Sequence, residues 1–455
     1  MYKLILPFRY LIKKRITVLA VLAVALCVFV VIVVMTVLSG LTSGIKDKYH
    51  SFIGDCVVGS KSLVGFVYYE EFMDRLESTE FVQAVSPVIK SPVLVNIKMS
   101  TSQMYPNKMG QLMGIDPIRH SRVTGFGKWL KYHRRNVAKV FTSLNKLNLP
   151  GCVSVHAALG WQPDTDTDET LPEVTLEITA LPLTGKGALA RAGIGLINTR
   201  SFSVTDTAPV GLWRFDRDTI YVSFEEAQAL CGMNIGLKRV NEIRIKFKPG
   251  VDVQAGRDKV AELWDDFLKT TASREYGDYL GHELLTQVKV QNWKTYQRDV
   301  ISALDTERVM MLLIFSLIGF ITVFIVFVVV YMIVSHKSKD IGILKSIGAS
   351  SSNVAAVFLW FGFLVGVFGA GIGALGSWQF LVHINSIETW LFNHFKFRLW
   401  DQSIYPIGEI PNQIEAKLFS GIIVSGIVAC LIGALVPSIQ AARRRPIETL
   451  QVSQL

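Results

Sequence analysis

Apolar residues follow two rhythms along this chain. Four runs carry no charged side chain: Ile16 to Leu38 (23 residues), Val309 to Ser335 (27), Val354 to Val382 (29) and Leu418 to Val436 (19). At about 1.5 Å per helical residue the first run extends roughly 34 Å, enough to cross a hydrocarbon layer of about 30 Å. A helix buried in a soluble core does not need uncharged runs of this length, so the pattern predicts four transmembrane helices. The first run is longer than the apolar core of a cleaved signal, about 7–15 residues, and lacks a small-residue cleavage site. Leu26 stands before Cys27 where lipoprotein processing requires a small residue. A retained anchor is expected.

Between the first two runs the rhythm changes. Val174, Leu176, Ile178 and Ala180 alternate with Thr175, Glu177 and Thr179, and Ile243, Ile245 and Phe247 alternate with Glu242, Arg244 and Lys246. Period-two alternation reads as half-buried strands. Ser223 with Glu226 forms a capping box, so a helix should start near Phe224. Val260, Trp264, Phe267 and Leu268 share one helical face. The expected fold class is an α-helical membrane protein with four transmembrane helices and a large extracytoplasmic α+β domain between helices 1 and 2. Residues 117–215, with glycine and proline breaks and the acidic run Asp164–Glu169, read as an inserted β-rich subdomain. Residues 288–308 read as a stalk helix leading to the second span. Cys56, Cys152 and Cys231 allow at most one disulfide in this domain.

Composition and charge sharpen this picture. Of 455 residues 50% are hydrophobic and 18% charged, against about 25% charged in an average soluble protein. The net charge is +10, and three short segments hold nearly all of it. Residues 1–16 carry Lys3, Arg9, Lys13, Lys14 and Arg15 without an acid; residues 336–352 carry Lys337, Lys339 and Lys345 against Asp340; residues 437–455 carry Arg443, Arg444 and Arg445 against Glu448. Helix count puts all three on one side, the pattern that marks a cytoplasmic face. The expected order is a cytoplasmic segment 1–15, spans 16–38, 309–335, 354–382 and 418–436, a periplasmic domain 39–308, a cytoplasmic loop 336–353, a short periplasmic loop 383–417 and a cytoplasmic tail 437–455. The large domain is close to neutral, which removes the case for nucleic acid.

Catalytic chemistry is missing from the motifs. No phosphate-binding G-x-x-x-x-G-K-[ST] occurs, and His282-Glu283 lacks the second histidine of a zinc-protease helix. Asp164, Asp166 and Asp168 resemble the start of a calcium loop, but Glu169 replaces the turn glycine and Thr175 stands where the bidentate acid belongs. The apolar runs hold no ionisable side chain that could relay protons. The chain is expected to be a non-catalytic subunit that binds no cofactor or metal.

Two patterns remain. Gly362 and Gly366, Gly369 and Gly373, and the series Gly421, Ser425, Ala429 and Gly433 repeat small residues every fourth position, which lets helix backbones approach closely within a bundle or a dimer. In the cytoplasmic loop, Ile341, Leu344 and Ile347 are spaced for one face of a short helix, with Gly348 as its stop and Ser350 to Ser352 capping the next. Such a helix suits an apolar groove on a partner, or the lipid surface.

The run Lys339-Asp340-Ile341-Gly342-Ile343-Leu344-Lys345-Ser346-Ile347-Gly348-Ala349 resembles the signature of the lipoprotein-releasing ABC permeases, a branch of the MacB/FtsX-like mechanotransmitting membrane subunits. Val37-Leu38-Ser39-Gly40, Gly114-Ile115-Asp116-Pro117, Trp293 through Met311 and Ala441 through Leu450 are similar to other segments of that family. The resemblance implies a porter-like outer domain and a bacterial inner-membrane location. It also implies pairing with a second permease copy or paralogue above an ABC ATPase dimer. ATP and Mg²⁺ would be bound by that partner, and Lys339 to Gly348 with Ala349 would form the helix that couples to it. The cargo implied is a lipoprotein, taken from the surrounding membrane lipid and handed to a periplasmic carrier. Two other readings stay open at this stage. One is a mechanotransmitter that exports another substrate or activates a periplasmic enzyme; the other is a membrane-anchored sensor or adhesion module without an ATPase.

Overall fold

The computed structural model describes residues 15–60, 62–99, 108–142, 149–154, 174–188, 198–274, 279–396, 400 and 409–443. The chain divides into two compact units, one holding the apolar helices and the other centred on residues 45–301.

The first unit holds residues 15–44 of helix α1 (Arg15–Ile53), residues 302–336 of α2 (Arg298–His336), a short α3 (Ser338–Ser346), α4 (Ser351–Phe395) and α5 (Ala416–Arg443). All but α3 are long and apolar enough to cross a membrane. They share one core, to which α1 contributes Val24, Val28 and Ile32, α2 Val326 and Val330, α4 Phe361 and Val365, and α5 Cys430 and Ala434. Leu19, Leu313, Leu375 and Val424 point outward and stay exposed. A helix apolar on every side needs lipid as its solvent.

Small residues set where these helices cross. Gly362 and Gly366 lie against Ala434 and Cys430, and Gly369 and Gly373 lie against Val24, Ala25 and Val28 of α1. A side chain at Gly373 would strike the Ala25 carbonyl oxygen. The expected series in α5 divides. Gly433 sits against Val323 and Val326 of α2, whereas Gly421 has nothing within 4 Å and Ser425 is exposed. Ala429 is half-buried. Gly426, Cys430 and Ala434, one position further on, fill the seams with α1 and α4. The reason is geometric: at about 100° per residue, a four-residue spacing drifts about 40° per step, so four such positions cannot all face one neighbour.

The second unit rests on strands β1 (Cys56–Ser60), β2 (Phe66–Val67), β3 (Val82–Met99), β4 (Lys108–Ile115), β5 (Gly151–Ser154), β6 (Val174–Ala180), β7 (Asn198–Asp206), β8 (Thr219–Ser223), β9 (Arg239–Val240), β10 (Glu242–Phe247) and β11 (Val288–Asn292). Nine of these form one mixed sheet in the order β11-β1-β10-β3-β4-β8-β5-β7-β6, while β2 pairs with β9. The 18-residue β3 is long enough to serve three neighbours: Val82–Val88 pair with β10, Val88–Val95 with β4, and Val93–Met99 with β6. The last pairing closes a circuit of six strands, β3-β4-β8-β5-β7-β6. The expected insert at 117–215 is therefore not a separate subdomain in its described parts. Its strands β5, β6 and β7 complete a wall begun by β3, β4 and β8. The acidic run Asp164–Glu169 lies outside the described residues.

Local signals position these elements. In β6 Val174, Leu176, Ile178 and Ala180 are buried and the residues between them half-buried. The Ser223 hydroxyl accepts from the Glu226 N–H at 3.3 Å and starts a helix at Phe224. Asp116 caps the helix Pro117–Val123 by accepting from the Ile118 and Arg119 N–H groups at 2.9 and 3.0 Å. Helix Val253–Arg274 buries Val260, Trp264 and Phe267 beside the sheet. The stalk reading of 288–308 needs correction. Val288–Asn292 is a strand paired with β1, a single turn Trp293–Tyr296 follows, and helix α2 begins at Arg298. Cys56, Cys152 and Cys231 are all buried free thiols. Burial pushes Cys56 up to about 12 and Cys231 to about 11, so neither carries a reactive thiolate at neutral pH.

The two kinds of small-residue position predict different costs. Gly373→Val should destabilise the helix unit by about 1–3 kcal/mol through overpacking, whereas Gly421→Val should change it by less than about 0.5 kcal/mol. Thermal unfolding of the full chain in detergent reads the difference, and equal melting temperatures for the two variants would contradict the crossing geometry.

Candidate functional site

The loop between α2 and α4 is organised around α3. Ile341 is buried against the helix bundle, while Ile343 is 51% and Ile347 80% exposed. Residues four apart share a helical face, so Ile343 and Ile347 present a small apolar face outward. The three-residue face expected from Ile341, Leu344 and Ile347 is not the arrangement found: Ile341 faces inward. The side chains of Lys339, Asp340 and Leu344 lie outside the described residues, although their backbone is helical. Gly342 is buried and Ala349 half-buried. Gly348 ends the helix with φ +101°, a left-handed conformation natural to glycine. The Ser350 hydroxyl accepts from the Asn353 N–H at 3.3 Å and starts α4. Lys345 Nζ donates to the Ala442 carbonyl at 2.5 Å and so ties α3 to the end of α5.

A second constellation lies within the sheet unit, on β10 and the chain segments that end α1 and precede α2; in the sequence it has only the look of the polar side of a strand. On β10 the inner face, Ile243, Ile245 and Phe247, joins the main core. The other face carries Glu242, Arg244 and Lys246, of which Glu242 is 5% and Arg244 0% exposed. Each holds part of a helix root. Arg244 Nη1 donates to the Phe52 carbonyl in the last turn of α1 at 2.6 Å, and its guanidinium lies 5.0 Å from the Phe52 ring centroid. A cation at a helix C-terminus meets unpaired carbonyls and the negative end of the macrodipole. Lys246 Nζ donates to Asp55 Oδ1 at 3.1 Å, just beyond that helix end. Glu242 Oε1 accepts from Lys90 Nζ at 2.8 Å and from the Tyr296 hydroxyl, and Lys90 also donates to Tyr296 at 2.5 Å. Tyr296 stands two residues before α2 begins.

Asp55 completes the junction. Its carboxylate accepts from the Phe247 N–H at 2.7 Å and lies 2.6 Å from His50 Nε2, while its carbonyl accepts from the Trp293 N–H at 3.1 Å. The His50 ring stacks on Trp293 at 4.9 Å between centroids. Both roots thus rest on one residue. Burial alone would raise the Asp55 pKa, but hydrogen bonds from His50 and Phe247 and the charge of Lys246 outweigh it and hold the carboxyl below its ordinary range. Glu242 behaves alike: burial opposes its charge, and Lys90 and Arg244 more than offset that. His120, deeply buried, is held well below its ordinary value by burial and by Arg244 and Lys90, so it stays neutral. The basic segment around Trp129–Arg135 is fastened separately, by Asp206 accepting from the Lys131, Tyr132 and His133 N–H groups.

Residues 312–446, which include most of α2 and all of α3, α4 and α5, match the sequence family described as FtsX-like permease C-terminal. The lipoprotein-releasing system transmembrane protein LolC of Xylella fastidiosa (strain 9a5c) is 26% identical over 252 residues, 55% of each chain. LolC of Neisseria meningitidis serogroup B is 24% identical over 283 residues, 61% of each chain. The alignments therefore span little more than half the length of these relatives. Among solved structures, the periplasmic region of MacB from Actinobacillus actinomycetemcomitans aligns with 55% of this chain and 95% of its own, at 12% identity and a TM-score of 0.30.

The helix-root network yields two expectations. Arg244→Met leaves Glu242 buried with one cation fewer and the end of α1 uncapped, which should cost about 3–5 kcal/mol, as for other broken buried pairs. For Asp55 and Glu242 the folded pKa lies below the unfolded one, so their stabilisation is complete above the unfolded value near pH 4 and fades as pH falls through the folded values. Fluorescence of the buried Trp264 and Trp293, followed during denaturant unfolding from pH 7 to pH 3, should report falling stability on the acid side, and Asp55→Asn should flatten that limb.

Proposed function

We propose that this chain is the membrane subunit of an ATP-driven ABC transporter that releases lipoproteins from the outer leaflet of the inner membrane to a periplasmic carrier. In this reading the sheet domain is periplasmic and both termini are cytoplasmic. ATP and Mg²⁺ belong to a separate ATPase dimer, and this chain pairs with a second copy or a paralogue. The observation that carries the reading is the exposed Ile343/Ile347 face on α3, within the segment matched to the FtsX-like family. The LolC relatives support the cargo class.

The energetics favour a driven machine. Withdrawing acyl chains from a bilayer costs about 0.8 kcal/mol per buried CH₂, so a triacylated cargo needs an outside source of work. A nucleotide-driven movement of the ATPases would enter through α3 and pass along α2, an unbroken helix of 39 residues. It would reach the sheet through Tyr296, Lys90 and Glu242. No step requires this chain to make or break a covalent bond; its residues dock, transmit and hold.

Docking gives the test. Ile347→Asp should weaken ATPase co-purification at least about tenfold, because a charge would enter an apolar groove. Ile343→Asp should act in the same direction, and Ile347→Leu should retain association. Undiminished ATPase binding by both Asp variants would overturn the reading.

A further inference from the structure

Helix α3 has two working faces, and only one of them is turned outward. Ile343 and Ile347, four residues apart, form the exposed side. Ile341 and Lys345, also four apart, precede them by two residues each, and at about 100° per residue that places them on the opposite side. Ile341 is buried in the same cluster as Ala441 of α5. Lys345 is half-buried, and its Nζ donates to the Ala442 carbonyl of α5 at 2.5 Å.

The chemistry of that acceptor makes the contact specific. Ala442 is the last residue but one of α5, and the final four carbonyls of a helix have no partner within it. The lysine supplies one with a donor and brings its positive charge to the negative end of the macrodipole. The end of α5 is also set apart from the rest of that helix by Pro437. Proline has no N–H, so the Gly433 carbonyl loses its intrahelical bond and the backbone ladder lacks a rung. Residues 438–443 thus form a terminal segment that is weakened on the side of its own helix and held to α3 by Lys345. The chain itself links α3 to other helices: Lys337 joins it to α2, and Ile347 to Ser350 join it to α4. The lysine adds an attachment to a helix end 97 residues further along the sequence.

We propose that Lys345 is a positioning residue that gears α3 to the end of α5, so that a push on the Ile343/Ile347 face enters α5 as well as α2. The inference rests on α3 being the element on which the ATPase docks, and it adds the second helix that takes up the movement. Removing the ammonium group leaves the outward face as it was and cuts the link. An arginine reaches the same carbonyl and keeps it.

Hydrogen exchange of the full chain co-purified with its ATPase, with and without a non-hydrolysable ATP analogue, tests the gearing. The windows compared are residues 438–443 at the end of α5 and 331–336 at the end of α2. In the unaltered complex the analogue should change exchange in both. In Lys345→Met the change at 438–443 should shrink at least about fivefold, on the scale of a lost charge-assisted hydrogen bond, while the change at 331–336 and the amount of ATPase bound stay within about twofold. Lys345→Arg should keep both responses. A full response at 438–443 in Lys345→Met overturns the inference, and so does an equal loss in Lys345→Arg, which a packing role alone would give. Loss of the ATPase from Lys345→Met overturns it as well, by placing the lysine in the docking face. In the unaltered complex, a response confined to α2 ends this inference and leaves the docking reading standing, whereas the absence of any associating ATPase ends both. If Lys345→Met fails to fold, Lys345→Gln is judged by the same loss.

Discussion

The burial of charge on one face of β10 is the constraint on which the sheet domain depends. Removing a guanidinium from water costs several kcal/mol unless its surroundings compensate. Arg244 is compensated by the Phe52 carbonyl, the Phe52 ring and Glu242. These partners belong to different parts of the chain, so the compensation works only when the end of α1 and the sheet are both in place. Glu242 extends the demand to Lys90 and Tyr296, and Lys246 extends it to Asp55. Three alternate positions on one short strand thus hold both helix roots, with polar contacts that tolerate little displacement.

The helix unit solves the same problem with the opposite material. In lipid no hydrophobic force draws helices together, so close backbone approach has to do so. Gly362, Gly366, Gly369 and Gly373 place α4 against α5 and α1 in turn, two glycines for each neighbour. One helix thereby organises two seams. Charge holds the chain together where water is near, and the absence of side chains does so where it is not.

Much of this architecture can be read from residue order. Uncharged length marks the four long helices, and the alternation in β6 and the cap at Ser223 mark their elements because each is a local pattern. What stayed hidden was decided by partners distant in sequence. Glu242, Arg244 and Lys246 look like a solvated strand face until the helix roots cover them; the one hint is three charges opposite Phe52, Asp55 and Tyr296, which no local pattern connects. In α3 the period of Ile341, Leu344 and Ile347 does not show that Ile343 pairs with Ile347 on the exposed side, because only packing decides which side faces the bundle. The strand Val288–Asn292 has a valine alternation too short to outweigh its polar composition. β5 and β7 are recognised as walls of one circuit only once β3 is seen to bend from one partner to the next.

That long strand has a mechanical consequence. A β ladder cannot creep by fractions, since a one-residue slip turns every side chain to the wrong face and the smallest compatible step is two residues, about 7 Å. β3 is locked into three such ladders at once, so the ring and the open half of the sheet are geared together and shift only as a block.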